Sequence, residues 1–515
     1  MAGRCRLGFS AAPVGVTLTD RPQGRHPSIL PLFQPEDVLT IMSNPQYTTH
    51  VQFSGRLIFV GFGSIGQGVL PLILRHIGGL TADRITIVTA EEAGGSEAAE
   101  YGVKFVVQPL TPENYREALR PLIGQGDFLL NLSVDVSSVD LIRFAGEVGA
   151  LYLDTCIEPW AGGYTDPSLS HADRTNYIMR EGALQLRNER PGGATAVLTH
   201  GANPGLVSHF VKKALLDIAA DTGVAAAEPT TREGWAKLAQ TLGVKVIHVA
   251  ERDTQRPTIP KRLDEFVNTW SVDGFISEGS QPAELGWGTH EHRLPPDGRE
   301  HAAGTRAAIY LMEPGAATRV RTWTPKAGHF HGFLITHSEA ISLADYYTVH
   351  EDGKAVYRPT AHYAYHPSDS AVMSVHEFAG LNWRVQSSKR ILRDEIADGI
   401  DELGVLLAGH AKNAYWYGSQ LSIDEARALA PYNSATTLQV TVSVLAGMVW
   451  AMENPSAGVV EPDEMDYRRC LEVAMPYLGP VVGAYTDWTP LHDRNRLFPE
   501  DIDATCPWQF QNVRV

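Results

Sequence analysis

Short apolar runs alternate with longer amphipathic segments through the first part of the chain. The runs have the length of buried strands, and the segments between them repeat their apolar residues with helical spacing. Strands that alternate with helices in this way predict an α/β fold with a parallel, doubly wound sheet. The predicted strands are 57–61, 84–88, 103–107, 127–132, 150–154 and 195–199, and the helices between them are 67–76, 113–123 and 138–148.

The pattern changes after the segment Gly201-Ala-Asn-Pro-Gly205. Two helices, at 206–219 and near 233–242, precede a strand-rich stretch from about 244 to 390 that contains many Trp, Tyr and Gly residues. This stretch predicts a second, mixed α+β domain. The predicted organisation is a disordered leader (1–50), a Rossmann-type domain (51–200), a substrate-binding and dimerisation domain (201–398) and a C-terminal helical segment that packs back on the first domain (399–515).

Neither the leader nor the most apolar segment has the pattern of a membrane or export signal. Residues 1–41 are rich in Pro, Gly and Arg and lack a continuous apolar stretch, so we do not expect a signal peptide. Met42 is a candidate start codon. The longest apolar segment, 438–452, is interrupted by Thr, Ser and Gly and predicts a buried helix instead of a membrane span.

The first predicted strand leads directly into a glycine-rich turn. Residues 57–66 read Leu-Ile-Phe-Val-Gly-Phe-Gly-Ser-Ile-Gly. Gly61 allows the tight turn, Gly63 lets the backbone approach a pyrophosphate, and Gly66 lets helix and strand pack closely. The N-terminus of the following helix supplies amide donors and a partial positive charge. The strand before the motif and the helix after it favour a bound dinucleotide over a simple glycine turn.

The second predicted strand ends where a Rossmann-type domain places its ribose contact. Thr89 occupies the most natural position and Glu91 is the next candidate, with a solvated loop position for Glu91 as the alternative. No Arg or Lys lies between Arg84 and Lys104, so no clamp for a 2′-phosphate is evident and NAD is favoured over NADP. The predicted cofactor-binding residues are Gly61, Gly63, Ser64, Ile65, Gly66, Thr89, Asn131 and Ser133.

The net charge and the cysteine content exclude several kinds of ligand and of structural site. The formal net charge of −16 argues against nucleic acid and suits a cationic ligand. Cys5, Cys156, Cys470 and Cys506 have no paired spacing, so neither a disulfide framework nor a zinc ribbon is predicted. A reducing, cytoplasmic environment is consistent with this content.

Acidic, amide and indole side chains recur where the predicted strands end. Ligands of open α/β sheets bind outside the carboxyl ends of the strands. Carboxylates, amide oxygens and aromatic faces recognise ammonium groups, and a cation over Trp contributes about 0.5–2 kcal/mol. Each acid alone is more typical of a helix cap or a solvated turn, but together they predict a site for a flexible diamine. The residues are Asp135, Glu158, Asn203, Glu251, Trp270 and Glu278.

Histidines suggest proton transfer more than metal binding. The pairs His329 with His331 and His362 with His366 have a possible metal spacing, but no nearby Cys or acid completes either set. A structural role is therefore predicted for them, and no metal site. His337 lies where a strand meets a helix. A pKa near neutrality would let its imidazole take a proton from an ammonium group and return it.

Nine sequence motifs distinguish this chain from other dinucleotide-binding proteins. They are Gly-Phe-Gly-Ser-Ile-Gly-Gln-Gly (61–68), Asn-Leu-Ser-Val-Asp (131–135), Glu-Pro-Trp (158–160), Gly-Ala-Asn-Pro-Gly (201–205), Ala-Glu-Arg-Asp-Thr-Gln (250–255), Asn-Thr-Trp-Ser-Val (268–272), Gln-Pro-Ala-Glu-Leu-Gly-Trp-Gly (281–288), Lys-Asn-Ala-Tyr-Trp-Tyr-Gly (412–418) and Tyr-Thr-Asp-Trp-Thr-Pro (485–490). Together they strongly resemble the motifs of the bacterial homospermidine synthases, a family similar in fold to the saccharopine dehydrogenases. The resemblance covers nearly everything after about residue 50. It departs at Thr89, where the family is expected to have an acidic residue, so the ribose contact stays open.

The resemblance implies an NAD-dependent transfer of a 4-aminobutyl group. Putrescine is oxidised to an imine, ammonia is lost, a second putrescine forms a Schiff base, and the retained NADH reduces it to homospermidine. A homodimer is also expected. The implied catalytic residues are Trp270, which holds a cationic intermediate, Asn203 and Glu251, which bind amines, and His337 in proton transfer; the implied substrate-binding residues are Asp135, Glu158 and Glu278.

Two alternatives belong to other classes of protein. A saccharopine- or carboxyspermidine-type dehydrogenase would condense an amine with an amino acid, and it needs an Arg for the substrate carboxylate. Arg252 is the nearest candidate for that Arg. A dinucleotide-binding scaffold without catalysis would lack the acids that this sequence places at its strand ends.

Overall fold

The structure is a computed structural model that describes residues 47–225 and 227–515. Residues 1–46 of the predicted leader lie outside the described residues. The described chain forms two large sheets, with helices packed against both of them.

The first part of the chain forms the α/β layer that the apolar pattern predicts. The strand before the glycine-rich turn is fully buried, and the helix after it begins at Ser64. Helix 176–189 is an addition that the sequence analysis does not predict. The strands are β1 (Val51–Gln52), β2 (Leu57–Val60), β3 (Ile77–Gly78), β4 (Ile85–Thr89), β5 (Lys104–Val107), β6 (Phe128–Asn131), β7 (Leu151–Asp154) and β8 (Ala196–Val197), and the helices are α1 (Ser64–His76), α2 (Gly95–Glu100), α3 (Tyr115–Leu119), α4 (Ser138–Val148) and α5 (Asn176–Glu189).

The middle of the chain is the mixed α+β part that the sequence predicts. Its strands are β9 (Val246–Asp253), β10 (Arg256–Pro257), β11 (Glu265–Asn268), β12 (Pro282–Gly286), β13 (Gly298–Glu300), β14 (Ala308–Pro314), β15 (Arg319–Thr324), β16 (Gly328–Phe333), β17 (Val349–Glu351), β18 (Lys354–Tyr357), β19 (Thr360–His366), β20 (Ser388–Ile391) and β21 (Ile396–Asp398). Its helices are α6 (Leu206–Thr222), α7 (Arg232–Leu242), α8 (Val272–Ser280), α9 (Ser338–Tyr346) and α10 (Asp369–Gly380).

The tail is not a purely helical segment, so the prediction for 399–515 is wrong for its first part. The tail begins with two long strands of 11 and 10 residues. Most residues of the first are buried, so the apolar run shows no alternation and periodicity alone cannot distinguish it from a helix. The strands are β22 (Ile400–His410), β23 (Asn413–Ser422), β24 (Val459–Val460) and β25 (Val481–Thr486), and the helices are α11 (Ile423–Leu429), α12 (Ala435–Glu453), α13 (Tyr467–Ala474) and α14 (Phe510–Val513).

The first sheet has seven parallel strands in the order β24-β8-β7-β6-β2-β4-β5. The chain leaves β2 toward β4 on one side and returns to β6 on the other, which makes the end of β2 the switch point of a Rossmann-type sheet. The predicted doubly wound fold is confirmed. The glycine-rich turn therefore lies where this kind of sheet binds its ligand.

The second sheet has ten strands, and its main path is β13-β14-β12-β19-β9-β22-β23-β25. Strands β9 and β19 are parallel, whereas β9 and β22 are antiparallel. The two sheets are joined by the tail: Asn433 donates a hydrogen bond to the carbonyl of Gly68 at 3.2 Å, and Arg75 donates to the carbonyl of Leu429 at 2.9 Å. Strands β9 and β19 thereby face the carboxyl end of the first sheet.

Helix α12 is a core helix. Within the described residues it is long and apolar enough to cross a membrane by composition, but 89% of its apolar window is buried inside the protein. The interpretation of 438–452 as a buried helix is confirmed.

Candidate active site

A cavity of about 110 Å³ lies at the carboxyl end of the first sheet, where the second sheet approaches it. It combines residues from the glycine-rich turn, the ends of β6, β7 and β9, and helices α8 and α9. The predicted site residues that line the cavity are Ile65, Ser133, Glu158, Asn203, Glu251, Trp270, Glu278 and His337. Residues that the sequence analysis does not name also line it, among them Leu132, Cys156, Tyr363, Thr436 and Val440.

The glycine-rich turn has the shape that a pyrophosphate requires. Gly61 has a φ of +85°, and a Cβ there would lie 2.8 Å from the backbone of Ser133. A Cβ on Gly66 would lie 2.8 Å from the ring of Phe62. A Cβ on Gly63, in contrast, would meet no atom within 4 Å. The open space in front of Gly63 at the start of α1 fits a dinucleotide phosphate.

The strands on either side of β2 carry the remaining predicted cofactor residues. Thr89 is buried at the end of β4, and Glu91 is exposed in the loop beyond it. Asn131, at the end of β6, accepts a hydrogen bond from the Ser133 hydroxyl at 2.6 Å and donates one to Tyr152 at 3.2 Å. Asn131 is buried and does not line the cavity; it fixes the turn that presents Ser133.

Glu251 is a buried carboxyl group near the end of β9, with 2% of its surface exposed. The Tyr363 hydroxyl donates to its Oε2 at 2.7 Å, and the Asn203 amide donates to the same oxygen at 3.0 Å. Burial, reinforced by the charge of Asp253, raises the pKa of Glu251 to about 8, although the hydrogen bond from Tyr363 opposes the shift. Glu251 can therefore change its protonation state near neutral pH.

His337 lies between two carboxylates at the start of α9. Its Nε2 is 2.9 Å from Oε2 of Glu278, and its Nδ1 is 3.4 Å from Oε1 of Glu339. Burial acts to lower the pKa of His337, but the two carboxylates outweigh it and raise the pKa to about 10. The predicted pKa near neutrality is wrong, because the sequence does not show that both acids converge on this ring. The two carboxylates therefore favour the imidazolium form of His337.

Glu158 is buried at the floor of the cavity, in the loop after β7. Its Oε2 accepts the backbone N–H of Asp135 at 3.4 Å, and its Oε1 lies 3.6 Å from the Cys156 thiol. Burial and the nearby Glu278 raise the pKa of Glu158 well above its ordinary value. Burial and the same carboxylates also raise the pKa of Cys156, so this cysteine is a thiol and not a nucleophilic thiolate.

The indole of Trp270 forms one wall of the cavity. Its Nε1 donates a hydrogen bond to the Tyr365 hydroxyl at 3.0 Å, and its ring centroid is 5.6 Å from that of Phe275. A Cβ on Gly274 would lie 3.1 Å from the indole, so a small residue on α8 is needed there. The hydrogen bond to Tyr365 and the contacts with Phe275 and Gly274 fix the orientation of the indole, and Trp270 still lines the cavity.

Asp135 does not line the cavity. It has a φ of 63° and an exposed side chain, and it contributes to the site through its backbone N–H. The cap of helix α4 is Ser137, whose hydroxyl accepts the N–H of Asp140 at 3.2 Å. Capping therefore does not explain why Asp135 is acidic.

Sequence reasoning missed Tyr363, Tyr365 and Glu339. The two tyrosines alternate along β19, so both project from the same face of the strand and their rings stack at 5.2 Å. That alternation is the signal of one face of a strand, but the histidines of the same motif, 362–366, indicate a metal spacing instead. Glu339 follows His337 by two residues and gives no separate signal.

The histidine pairs do not form a site of their own. His362 is buried against His248, with ring centroids 4.1 Å apart, and no described residue hydrogen-bonds either of its nitrogens. Within the described residues, groups that bring three possible metal ligands together lie elsewhere and do not line the cavity; they are His200 with His209 and Cys470, and His292 with Asp503 and Cys506.

The cavity is suited to a ligand with more than one positive charge. Glu158, Glu251 and Glu278 face it, and His337 is its cationic side chain. An ammonium group near a buried carboxyl favours the ionised form and lowers its pKa, so cation binding and ionisation support each other. No Arg or Lys is among the described residues that line the cavity. A substrate with several carboxylates would find only the imidazole of His337 as a counter-charge, and Glu278 already pairs with that ring.

Comparison with known proteins places the chain among NAD(P)-binding enzymes of amine metabolism. Residues 57–197 match the saccharopine dehydrogenase NADP binding domain, and residues 201–485 match the saccharopine dehydrogenase C-terminal domain. A homospermidine synthase from Blastochloris viridis is 59% identical over 470 residues, which are 90% of this chain and 98% of that protein. One from Mesorhizobium japonicum is 55% identical over 486 residues, covering 93% of this chain and 100% of that protein.

A solved structure resembles the whole fold. The homospermidine synthase of Legionella pneumophila, determined in complex with NAD, is 48% identical and superposes with a TM-score of 0.84. The match covers 90% of this chain and 98% of that one.

Proposed function

This chain belongs to the homospermidine synthase family, and from this we infer that it joins two putrescine molecules to homospermidine with NAD as its cofactor. The observation that carries the proposal is one cavity in which the carboxyl groups of Glu158, Glu251 and Glu278 meet the indole of Trp270. Carboxylates pair with the ammonium ends of a diamine, and an aromatic face stabilises a cationic intermediate.

The glycine-rich turn would bind the cofactor. When bound, NAD supplies a hydride acceptor for the amine-bearing carbon and a hydride donor for the new C=N bond. Gly61, Gly63 and the N-terminus of α1 would bind the pyrophosphate, because the space in front of Gly63 is open. Ile65 and Ser133 line both the turn and the cavity, so they would border the reacting end.

We infer that Glu251 moves the proton. An ammonium group must lose a proton before its carbon can give up a hydride, and a carboxylate within contact can accept that proton. Asn203 and Tyr363 both donate to Oε2 of Glu251, and no described residue donates to Oε1, which is left to face the substrate. Protonated Glu251 can then return the proton to departing ammonia.

Trp270 and the remaining acids would keep the half-reacted substrate in the cavity. The indole face would stabilise the iminium cation formed by oxidation, while Glu158 and Glu278 would pair with the distant ammonium group. A protein that holds this intermediate until the second amine arrives limits the release of a free aldehyde. His337 would orient Glu278 as a fixed cationic donor and would not act as a base.

The dehydrogenase alternative lacks its main requirement. The guanidinium of Arg252 donates to the carbonyl of Pro367 at 3.3 Å and to Asp369 at 3.0 Å, and Arg252 does not line the cavity. The candidate for binding a substrate carboxylate is therefore directed elsewhere.

The location, the assembly and the other partners stay predictions from the sequence. We propose a cytoplasmic homodimer that binds neither nucleic acid nor a membrane. The acidic charge argues against nucleic acid, and Cys156, Cys470 and Cys506 of the described chain, which are unpaired, fit a reducing compartment. The homodimer rests on the family resemblance.

The proposed function is tested by product analysis. Purified protein is incubated with putrescine and a small, catalytic amount of NAD, and the polyamines are resolved by mass. We expect homospermidine in large molar excess over the added NAD. NADH released in step with the putrescine consumed, without homospermidine, would support the dehydrogenase alternative instead.

We expect Gly63→Val to abolish NAD binding without unfolding the protein. The new side chain would enter the open space that the pyrophosphate needs, and it meets no protein atom there. Binding is measured by titration with NAD, and folding by the melting temperature. Gly380→Val is the matched control, since a Cβ on Gly380 also meets nothing within 4 Å but lies at the end of α10. Normal NAD affinity in Gly63→Val would contradict the assignment of the turn.

A further inference from the structure

Glu339 is a buried acid for which the reaction described above has no use. It lies in the first turn of α9, and 1% of its surface is exposed. No described residue donates a hydrogen bond to either of its carboxylate oxygens. A buried carboxylate without partners is costly, so its charge needs a counterpart. That counterpart is Nδ1 of His337, which is 3.4 Å from Oε1.

His337 is held from three directions. Glu278 contacts Nε2 at 2.9 Å, Glu339 approaches Nδ1, and the ring of Tyr363 lies against the imidazole with centroids 4.5 Å apart. Glu278 and His337 line the cavity, but Glu339 does not. Any effect of Glu339 on a substrate must therefore pass through His337.

We propose that Glu339 is a positioning residue, which pairs with Nδ1 of His337 so that both ring nitrogens carry a proton and Nε2 always donates to Glu278. A neutral imidazole has a single N–H, and either nitrogen can carry it. With an acid beside each nitrogen, both nitrogens keep a proton, and Nε2 donates to Glu278 in a single orientation. This inference rests on the proposed function, because it concerns how Glu278 is presented to a diamine.

The other groups around the ring are consistent with a permanent imidazolium. Glu278 reaches it from α8, Tyr363 from β19 and Glu251 from β9, and Glu158 shares the adjoining small cavity with it. These groups are acidic or neutral, and none is a competing cation. Loss of the Glu339 charge would let His337 exchange between its neutral and charged forms near neutral pH, because one of its two close carboxylates would be gone.

The test compares Glu339→Gln with wild type, both saturated with NAD. In this variant the hydrogen bond from His337 to Glu278 is no longer always present, so Glu278 should bind the substrate ammonium less well. We expect KM for putrescine to rise roughly ten-fold, which is the scale of one lost hydrogen bond to a charged group, with a smaller change in kcat. The pH profile of kcat/KM should gain a step near neutrality from His337. NAD affinity should be unchanged.

Two further variants separate the charge of Glu339 from its other contributions. Glu339→Asp keeps the negative charge and should restore most of the lost activity. Glu300→Gln makes the same change at an exposed position of β13 and is the matched control.

The protonation state of His337 is measured directly by NMR of the enzyme with ¹³C-labelled histidine, its signal being identified by its loss in His337→Gln. The wild-type signal should stay that of an imidazolium across the neutral range, and in Glu339→Gln it should titrate. A wild-type signal that titrates near neutrality would overturn the inference, even if Glu339→Gln does not fold. The inference would also be overturned if Glu339→Gln folds and has the same kinetic constants and pH profile as wild type. If wild type makes no homospermidine, the proposed function fails instead, and the NMR result still decides the state of His337.

Discussion

Trp270→Ala is expected to reduce homospermidine formation by on the order of a hundred-fold or more, because it removes both the aromatic face and one wall of the cavity. The missing wall should also let 4-aminobutanal escape before the second amine attacks. Trp270→Phe keeps a ring against Phe275 but weakens the cation–π attraction, and we expect a loss of roughly 2- to 30-fold. Product and aldehyde are measured by mass spectrometry, and NAD affinity by titration should be unchanged.

Trp160 is the matched control for this prediction. Its indole also donates a hydrogen bond, to Asp140 at 2.7 Å, and it packs on Tyr115, but it does not line the cavity. Trp160→Phe should therefore have little effect on synthesis. The account of Trp270 is contradicted if Trp270→Phe matches wild type in product and leakage while Trp270→Ala only unfolds, because the indole would then be an ordinary core residue.

Glu251→Gln should reduce kcat by about 10²- to 10⁴-fold, the usual contribution of a positioned proton acceptor. In wild type, kcat/KM should rise with pH through about 8, because the free enzyme must lose the proton from Glu251 before it can accept one from the substrate. At higher pH, kcat/KM should fall because the ammonium groups of putrescine lose their protons, with pKa values typical of a primary amine. The rising limb should be absent from Glu251→Gln, and the falling limb should remain.

Tyr363→Phe tests the role of Glu251 by removing the hydroxyl group that donates a hydrogen bond to it. The hydroxyl of Tyr363 stabilises the ionised form of Glu251, so its removal should raise the pKa of Glu251 further. The rising limb of kcat/KM should then move to higher pH, with the plateau less affected. If the rising limb persists in Glu251→Gln, or does not move in Tyr363→Phe, the titration that causes it belongs to a group other than Glu251.

The parts of the site that could be predicted lie at the ends of parallel strands. A strand followed by Gly61-x-Gly63 is a local pattern with one structural outcome, and the carboxyl ends of neighbouring strands must meet at one edge. Glu158 and Asn203 follow β7 and β8 in the chain, so their convergence followed from the order of strands alone. The acids at the strand ends predicted a diamine site, and the resemblance to the family supplied the reaction and the roles of the individual residues.

The parts that could not be predicted depend on contacts between distant segments. Glu278 lies 59 residues before His337, and only the fold brings its carboxylate to the ring, which Glu339 approaches from two residues away. The sequence alone therefore predicts an ordinary pKa for His337, whereas the structure raises it. Tyr363 meets Glu251 only because β19 pairs in parallel with β9.

If oxidation and reduction occur in one cavity with one cofactor molecule, the hydride removed from the first putrescine must return to the product, and hydride tracing can follow it. The enzyme with catalytic NAD converts putrescine deuterated at both amine-bearing carbons, in the presence of excess unlabelled NADH. We expect the homospermidine to keep all of its deuterium and no further NADH to accumulate, because the deuteride taken from the first putrescine returns to the Schiff base. Protium at the new C–N bond, or NADH released in step with putrescine consumed, would contradict it.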